Sequence, residues 1–237
     1  YRGLDVKQHA SSSRNLQVFD ELVELFTRRE SIPGPVEFPS IKPALESYQF
    51  PGHILTEERL GETMQQARIT SIRNSLSRMS TGSQGDSTIA YVAPWYASDV
   101  IEQSSIDMVF SQAVLEHVVD LSGTYEALRR WLKPGGLMSH QVDFRSHATA
   151  RTWDGHRDYS DFAWKLVVGR RPYLINRQPH SVHLELLKSS GFRIRRDLTI
   201  QSEPGLSRDR LASRFKHLSD DDLTTSGAFI QSTCGKQ

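Results

Sequence analysis

The sequence runs to 237 residues with a formal net charge of +1, 24% charged and 37% hydrophobic. That is chain enough for a substantial core, with one domain carrying an insertion as the natural architecture, and the near-neutral charge excludes an electrostatic case for nucleic acid or an anionic membrane as partner. The lone Cys234 excludes an internal disulfide and a cysteine-based zinc site, and nothing approaches the roughly 20 apolar residues of a membrane span or a signal-peptide pattern, so a soluble cytoplasmic protein is expected.

In chain order, Tyr1–Val6 reads as a strand end with an acid, Asp5, at its tip. Such an acid is an ordinary turn or cap residue, or a carboxylate that accepts hydrogen bonds from a ribose in a nucleotide-binding α/β fold. Asn15–Arg29 predicts an amphipathic helix with Leu16, Phe19, Leu22, Val23 and Phe26 on one face, Ser11–Ser13 as N-caps and Arg28 and Arg29 at the C-terminal end. Residues 30–87 read as an insertion. Pro33, Pro35, Pro39, Pro43 and Pro51 restrict its first half to short pieces, Thr56–Arg59 starts a helix, and Ile69, Ile72, Leu76 and Met79 mark another before a Thr81–Gly85 linker. A lid over a substrate and a merely structural helical patch are equal readings of this stretch. Thr88–Ala93 is a strand near an edge, followed by Pro94 and Trp95.

The organising stretch is Ile106–Phe144. An apolar run (Ile106, Met108, Val109, Phe110) predicts a buried strand, and Leu121, Tyr125, Leu128 and Leu132 share one helix face. Lys133-Pro134-Gly135-Gly136 ends that helix, and a second strand runs from Leu137 to Phe144. Strand, helix, strand is a βαβ unit, hence a parallel sheet with ligands beyond the carboxyl ends of its strands. Beyond it come a short helix over Asp161–Val168, a helix over Ser181–Ser190 closed by Gly191, a strand over Phe192–Gln201, a helix start at Asp220–Asp222 and a last strand over Thr225–Thr233. Arg193, Arg195 and Arg196 read as a solvated basic face.

Val114-Leu115-Glu116-His117-Val118, followed by Leu132-Lys133-Pro134-Gly135-Gly136, resembles the region from the fourth to the fifth strand of class I S-adenosylmethionine-dependent methyltransferases. The resemblance extends through Asn176-Arg177 and Leu186-Leu187 to Gly191-Phe192, and points to the small-molecule branch of the family. It implies a Rossmann-like α/β sheet, mostly parallel with an antiparallel last strand, and S-adenosyl-L-methionine as cofactor. By the same resemblance Asp5 and Val6 meet the ribose, Ala93, Pro94 and Trp95 the adenine, and Ser111, Gln112 and Ala113 the methionine part. His117, at the start of the helix after the fourth strand, takes a place in the cofactor pocket or, less expectedly, in proton transfer. The family's first strand and glycine-rich turn have no counterpart, since no G-x-G-x-G or G-x-G-x-x-G occurs. The start at Tyr1 without a methionine favours an N-terminally truncated reading over a degenerate domain. The strands beside the missing one are then expected to lack backbone partners, and cofactor binding to be weak.

Methyl transfer asks the protein to align the acceptor and, for a hydroxyl, to remove a proton, for which histidine is suited. The first choice for base is His147, with Asp143 as its orienting partner. Alternation along the strand puts His140 and Asp143 on opposite faces. His140, Arg145, His156, Tyr159, Asn176 and Arg177 are candidate contacts to the acceptor. A metal set of His140, Asp143, His147 and His156 is split by the same alternation, so no metal is expected. The leading expectation is O-methylation of a small-molecule acceptor; a non-catalytic binding module and a nicotinamide-dependent oxidoreductase, which Asp5 would also suit, stay open. The oligomeric state is not legible.

Overall fold

The computed structural model describes residues 1–5, 8–33, 43–78, 89–93, 95, 98–171 and 173–235. Val6, Pro35, Pro39, Met79, the Thr81–Gly85 linker, Thr88 and Pro94, all named above, lie outside the described residues. The chain divides into two compact units, Tyr1–Ser40 with Leu45–Val100, and Ile41–Ala44 with Ile101–Gln237.

In the first unit, β1 (Arg2–Leu4) pairs in parallel with β2 (Ala90–Val92), with Leu4 opposite Val92. The pairing continues past the strands: the Asp5 N–H donates to the Val92 carbonyl and the Trp95 N–H to the Asp5 carbonyl. Helix α1 (Ser12–Arg28) covers the predicted periodic stretch but starts three residues before Asn15, so that Ser12 and Ser13 lie inside it and Ser11 is the N-cap position without a side-chain cap bond. It ends at Arg29 in the left-handed region. Its apolar face is only partly covered: Leu16, Phe19 and Val23 are half-buried, whereas Leu22 and Phe26 are exposed. Helix α2 (Glu57–Thr63) is capped by Thr56, whose hydroxyl accepts from the Arg59 N–H. Helix α3 (Gln66–Arg78) packs on α1, joined by an Arg73–Asp20 ion pair.

The second unit holds a four-stranded sheet of order β3-β4-β6-β5, made of β3 (Ile106–Gln112), β4 (Leu132–Asp143), β5 (Phe192–Gln201) and β6 (Thr225–Cys234). β3 and β4 are parallel, and β6 runs antiparallel to both β4 and β5, so β6 alone opposes the common direction. Among the described residues β3 pairs only with β4, and β1 only with β2. Helix α4 (Leu121–Trp131) crosses from β3 to β4, its start capped by Asp120, whose carboxylate accepts from the Gly123 N–H. Leu121, Tyr125, Leu128 and Trp131 are all buried, as the helical spacing requires.

Lys133–Gly136 does not sit between helix and strand as expected. Leu132 already pairs with Ile106, and the next pair is Met108 with Leu137, so the four residues form an irregularity inside β4. Gly135 has φ +81, which a side chain would resist, and a Cβ on Gly136 would lie 2.9 Å from the Lys133 carbonyl oxygen. The remaining helices are α5 (Asp161–Val168), α6 (His180–Ser189) and α7 (Asp220–Thr224). Asp222 accepts from the Ser181 N–H and hydroxyl, stabilising the first turn of α6. A second apolar cluster, Leu206, Leu211, Phe215, Leu218 and Leu223, lies along the connection from β5 to β6. No helix among the described residues is long and apolar enough to cross a membrane.

Candidate functional site

In the second unit the carboxyl ends of β3 and β4 lead into two short segments that meet. After β3, Ala113 takes φ 52 and its N–H donates to the Gln141 carbonyl; Leu115–His117 then make one 3-10 turn. His117 therefore ends a short turn instead of starting the helix as expected, and α4 starts only at Leu121, where Asp120 supplies the cap. After β4, His147 (φ 45) and Ala148 (φ 61) are successive left-handed residues, a conformation that non-glycine residues hold at a cost of about 1 kcal/mol or more each. The His117 and His147 rings meet edge to face with centroids 5.1 Å apart.

Asp143 and Arg145 form a closed pair at this rim. The Arg145 Nε donates to Asp143 Oδ1 at 2.8 Å and its Nη2 to Oδ2 at 2.6 Å, while the Arg145 N–H also reaches Oδ1. Burial alone would raise the Asp143 carboxyl, but the hydrogen bonds from Arg145 outweigh it and hold the group below its ordinary value. Asp143 is consequently not the orienting partner expected for His147; its Oδ2 is 3.7 Å from His147 Nε2. The His147 ring is set instead by its Nδ1, 2.7 Å from the Arg145 carbonyl oxygen. A carbonyl only accepts, so Nδ1 carries the proton and the neutral ring keeps its lone pair on Nε2.

Beside these lies a group that the sequence reading left without a role. Glu116 is 3% exposed, and burial, with a smaller push from Asp143, raises its carboxyl to about 8. His117 is lowered by burial and by the neighbouring His147. An acid set into the apolar run Val114-Leu115 was the signal that could have singled Glu116 out. Glu116, Asp143, His156, Asn176 and Arg177 line a cavity of about 10 Å³, room for about one water molecule.

The other candidates separate. His140 is on the buried face of β4 with Met138 and Val142, its Nδ1 2.8 Å from the Ser111 hydroxyl and its ring against Tyr125; it belongs to the interior, not to the rim that carries Asp143. His156 is buried, and burial followed by the charges of Arg157 and Arg177 holds it well below the ordinary histidine value. The Tyr159 hydroxyl donates to the Thr149 carbonyl. Asn176 donates to the Leu115 and Val118 carbonyls, which braces the turn carrying Glu116 and His117. Arg177 borders the small cavity, but its guanidinium acts as an interior strut, donating to the His156 and Tyr159 carbonyls and to Asp161. Ser111, Gln112 and Ala113 stand together at the tip of β3. In the first unit, Asp5 accepts from the Tyr91 hydroxyl at 3.1 Å, and Ala93 and Trp95 follow the adjacent strand tip.

A family model described as a methyltransferase domain matches residues 73–139. No curated protein matches the chain. Among solved structures, an S-adenosylmethionine-dependent methyltransferase from Methanosarcina mazei is 12% identical, with 68% of this chain and 77% of that one covered and a TM-score of 0.42. An S-adenosylmethionine-dependent methyltransferase from Mesorhizobium loti is 17% identical, with 76% and 77% covered and a TM-score of 0.40. Haemonchus contortus phosphoethanolamine N-methyltransferase 2, in complex with S-adenosyl-L-methionine, is 19% identical, with 74% of this chain and 42% of that one covered and a TM-score of 0.40.

Proposed function

We propose that this chain, in which a methyltransferase-domain family model matches residues 73–139, is a methyltransferase that uses S-adenosyl-L-methionine to methylate an oxygen of a small-molecule acceptor. The observation that carries the reading is the rim beyond β3 and β4, where a histidine with a fixed tautomer stands at the carboxyl end of a parallel strand pair. The residues fit the cofactor in kind. In the first unit an acceptor carboxylate, Asp5, closes β1 beside Ala93 and Trp95, as a ribose diol and an adenine require. When bound, S-adenosyl-L-methionine supplies an electrophilic methyl group with its own leaving group.

The work left to side chains is modest. His147 Nε2 accepts the acceptor's hydroxyl proton, the Arg145 carbonyl stabilises the proton already on Nδ1, and Arg145 and Asp143 neutralise each other at the rim. Ser111, Gln112 and Ala113, at the tip of β3, are the residues we assign to the methionine part of the cofactor. Against catalysis stands a reading as a binding module only, which the small cavity favours.

Calorimetry with S-adenosylhomocysteine tests the cofactor. Saturable binding is expected, weakened about tenfold or more by Asp5→Ala, the size of a lost charge-assisted hydrogen bond. Absence of binding, or a preference for a nicotinamide dinucleotide, ends the reading. For the base, His147→Ala is expected to lower kcat about a hundredfold and to leave cofactor affinity unchanged. An unchanged kcat with a responsive acceptor would remove His147 from proton transfer.

A further inference from the structure

Glu116 takes no part in proton transfer at His147, yet it is the most constrained acid of the rim. Both carboxyl oxygens are buried without a hydrogen-bond partner among the described residues, and so is the Nδ1 of the adjacent His117. Leaving such acceptors unpaired costs about 1–3 kcal/mol each, more for a charged group. The bond from the Asn176 N–H satisfies the Glu116 backbone carbonyl and leaves the carboxyl untouched. His147 arrives from the other strand, and the three residues each offer one ligand atom, all within 4.8 Å of one another.

We propose that Glu116, His117 and His147 form a binding site for one divalent ion of the zinc class. One carboxylate and two imidazoles are a donor set for borderline ions such as Zn²⁺, Co²⁺ or Mn²⁺, with a coordination position left open. The second imidazole carries the outer support such ligands use, its far ring nitrogen donating to the Arg145 carbonyl. Asp143 lies close but is held by Arg145 through both oxygens, and His140 is on the opposite face of β4. The set thus differs from one drawn along a single strand. Metal–ligand bonds near 2.1 Å place donors about 3.4 Å apart, so the three must close by about 1 Å, which rotation of the half-exposed His147 side chain allows. If His147 is the base, the ion and the proton compete for the same lone pair, so that occupancy would inhibit methyl transfer; binding itself does not depend on that reading.

The test is titration of the tag-free, chelator-stripped 237-residue chain with Co²⁺ and Zn²⁺, followed by visible absorption and calorimetry. One equivalent is expected, with a low-symmetry Co²⁺ spectrum of nitrogen and oxygen ligation. Glu116→Gln and His147→Ala, each shown folded by circular dichroism, are expected to lose about tenfold or more in affinity, while His217→Ala, at an exposed position, binds as the parent does. No uptake at millimolar ion, or variants that bind as tightly as the parent, overturns the proposal. Cofactor binding, measured separately on the same preparations, tells that failure apart from failure of the methyltransferase reading.

Discussion

Replacing His140 and His183 together by glutamine is expected to remove on the order of 5 kcal/mol of acid-induced destabilisation between pH 7 and pH 4. Both rings are buried in the second unit, and each has one satisfied nitrogen: His140 Nδ1 faces the Ser111 hydroxyl and His183 Nδ1 the Tyr125 hydroxyl at 3.0 Å. The Nε2 of each has no partner among the described residues. Burial lowers His140 to about 4; burial, with repulsion from His180 and His140, lowers His183 to about 3. In the unfolded chain both take a proton near 6.5. The unfolded state therefore binds more protons across this window, and stability falls as the pH falls from 6.5 toward the folded values. Glu116 works in the opposite sense, because its raised carboxyl keeps a proton in the folded chain that the unfolded chain releases above its ordinary value of 4.5; its contribution is lost as the pH rises toward 8. The decisive quantity is thus the difference in pH dependence between parent and double variant, read from urea unfolding at steps of pH. Parallel curves would mean that the two rings are not kept neutral by the fold.

Arg177→Ala is expected to cost about 3–5 kcal/mol, the largest loss from a single charged residue of the second unit. Its side chain is 1% exposed, and its guanidinium lies 4.7 Å from the Trp164 ring centroid and 5.2 Å from that of Phe215. It donates to two backbone carbonyls and to Asp161, so truncation strands those carbonyls and opens a void between two aromatic rings. Burial lowers its pKa to about 10, which leaves it cationic at neutral pH. Arg177→Lys keeps the charge but loses the planar fork, and is expected to recover less than half of the loss. Thermal unfolding of the two variants checks this; a lysine variant as stable as the parent would show that charge alone, not the stacked plane, is what the site needs.

Arg177 also shows where reading the sequence stops. A polar residue in a family motif invites a role at the ligand, and nothing in Asn176-Arg177 reveals that the following chain folds back to bring Phe215 over the guanidinium. Local periodicity served well where local physics decides. α4 buries the predicted Leu121, Tyr125 and Leu128, with Trp131 in place of Leu132, which already belongs to β4; β5 occupies Phe192–Gln201, and α5 occupies Asp161–Val168. It failed at Lys133–Gly136, where a proline and two glycines announce a turn but pairing with β3 draws the segment into the strand. α1 was legible as a helix, but whether Leu22 and Phe26 are covered depends on neighbours distant in sequence. At the rim, alternation correctly divided His140 from Asp143. The capture of Asp143 by Arg145, and the gathering of Glu116, His117 and His147, come from two loops meeting, and no spacing in one strand encodes that.

The position of β6 sets the order of assembly. Because Thr225–Cys234 lies between β4 and β5, those two strands have no direct bond to each other and must wait, with backbone edges unpaired, for a segment that leaves the ribosome after both. A nascent chain halted before residue 225 would hold β3, α4 and β4 next to an unattached β5, a species exposed to chaperones and proteases until the final ten-residue strand slides in.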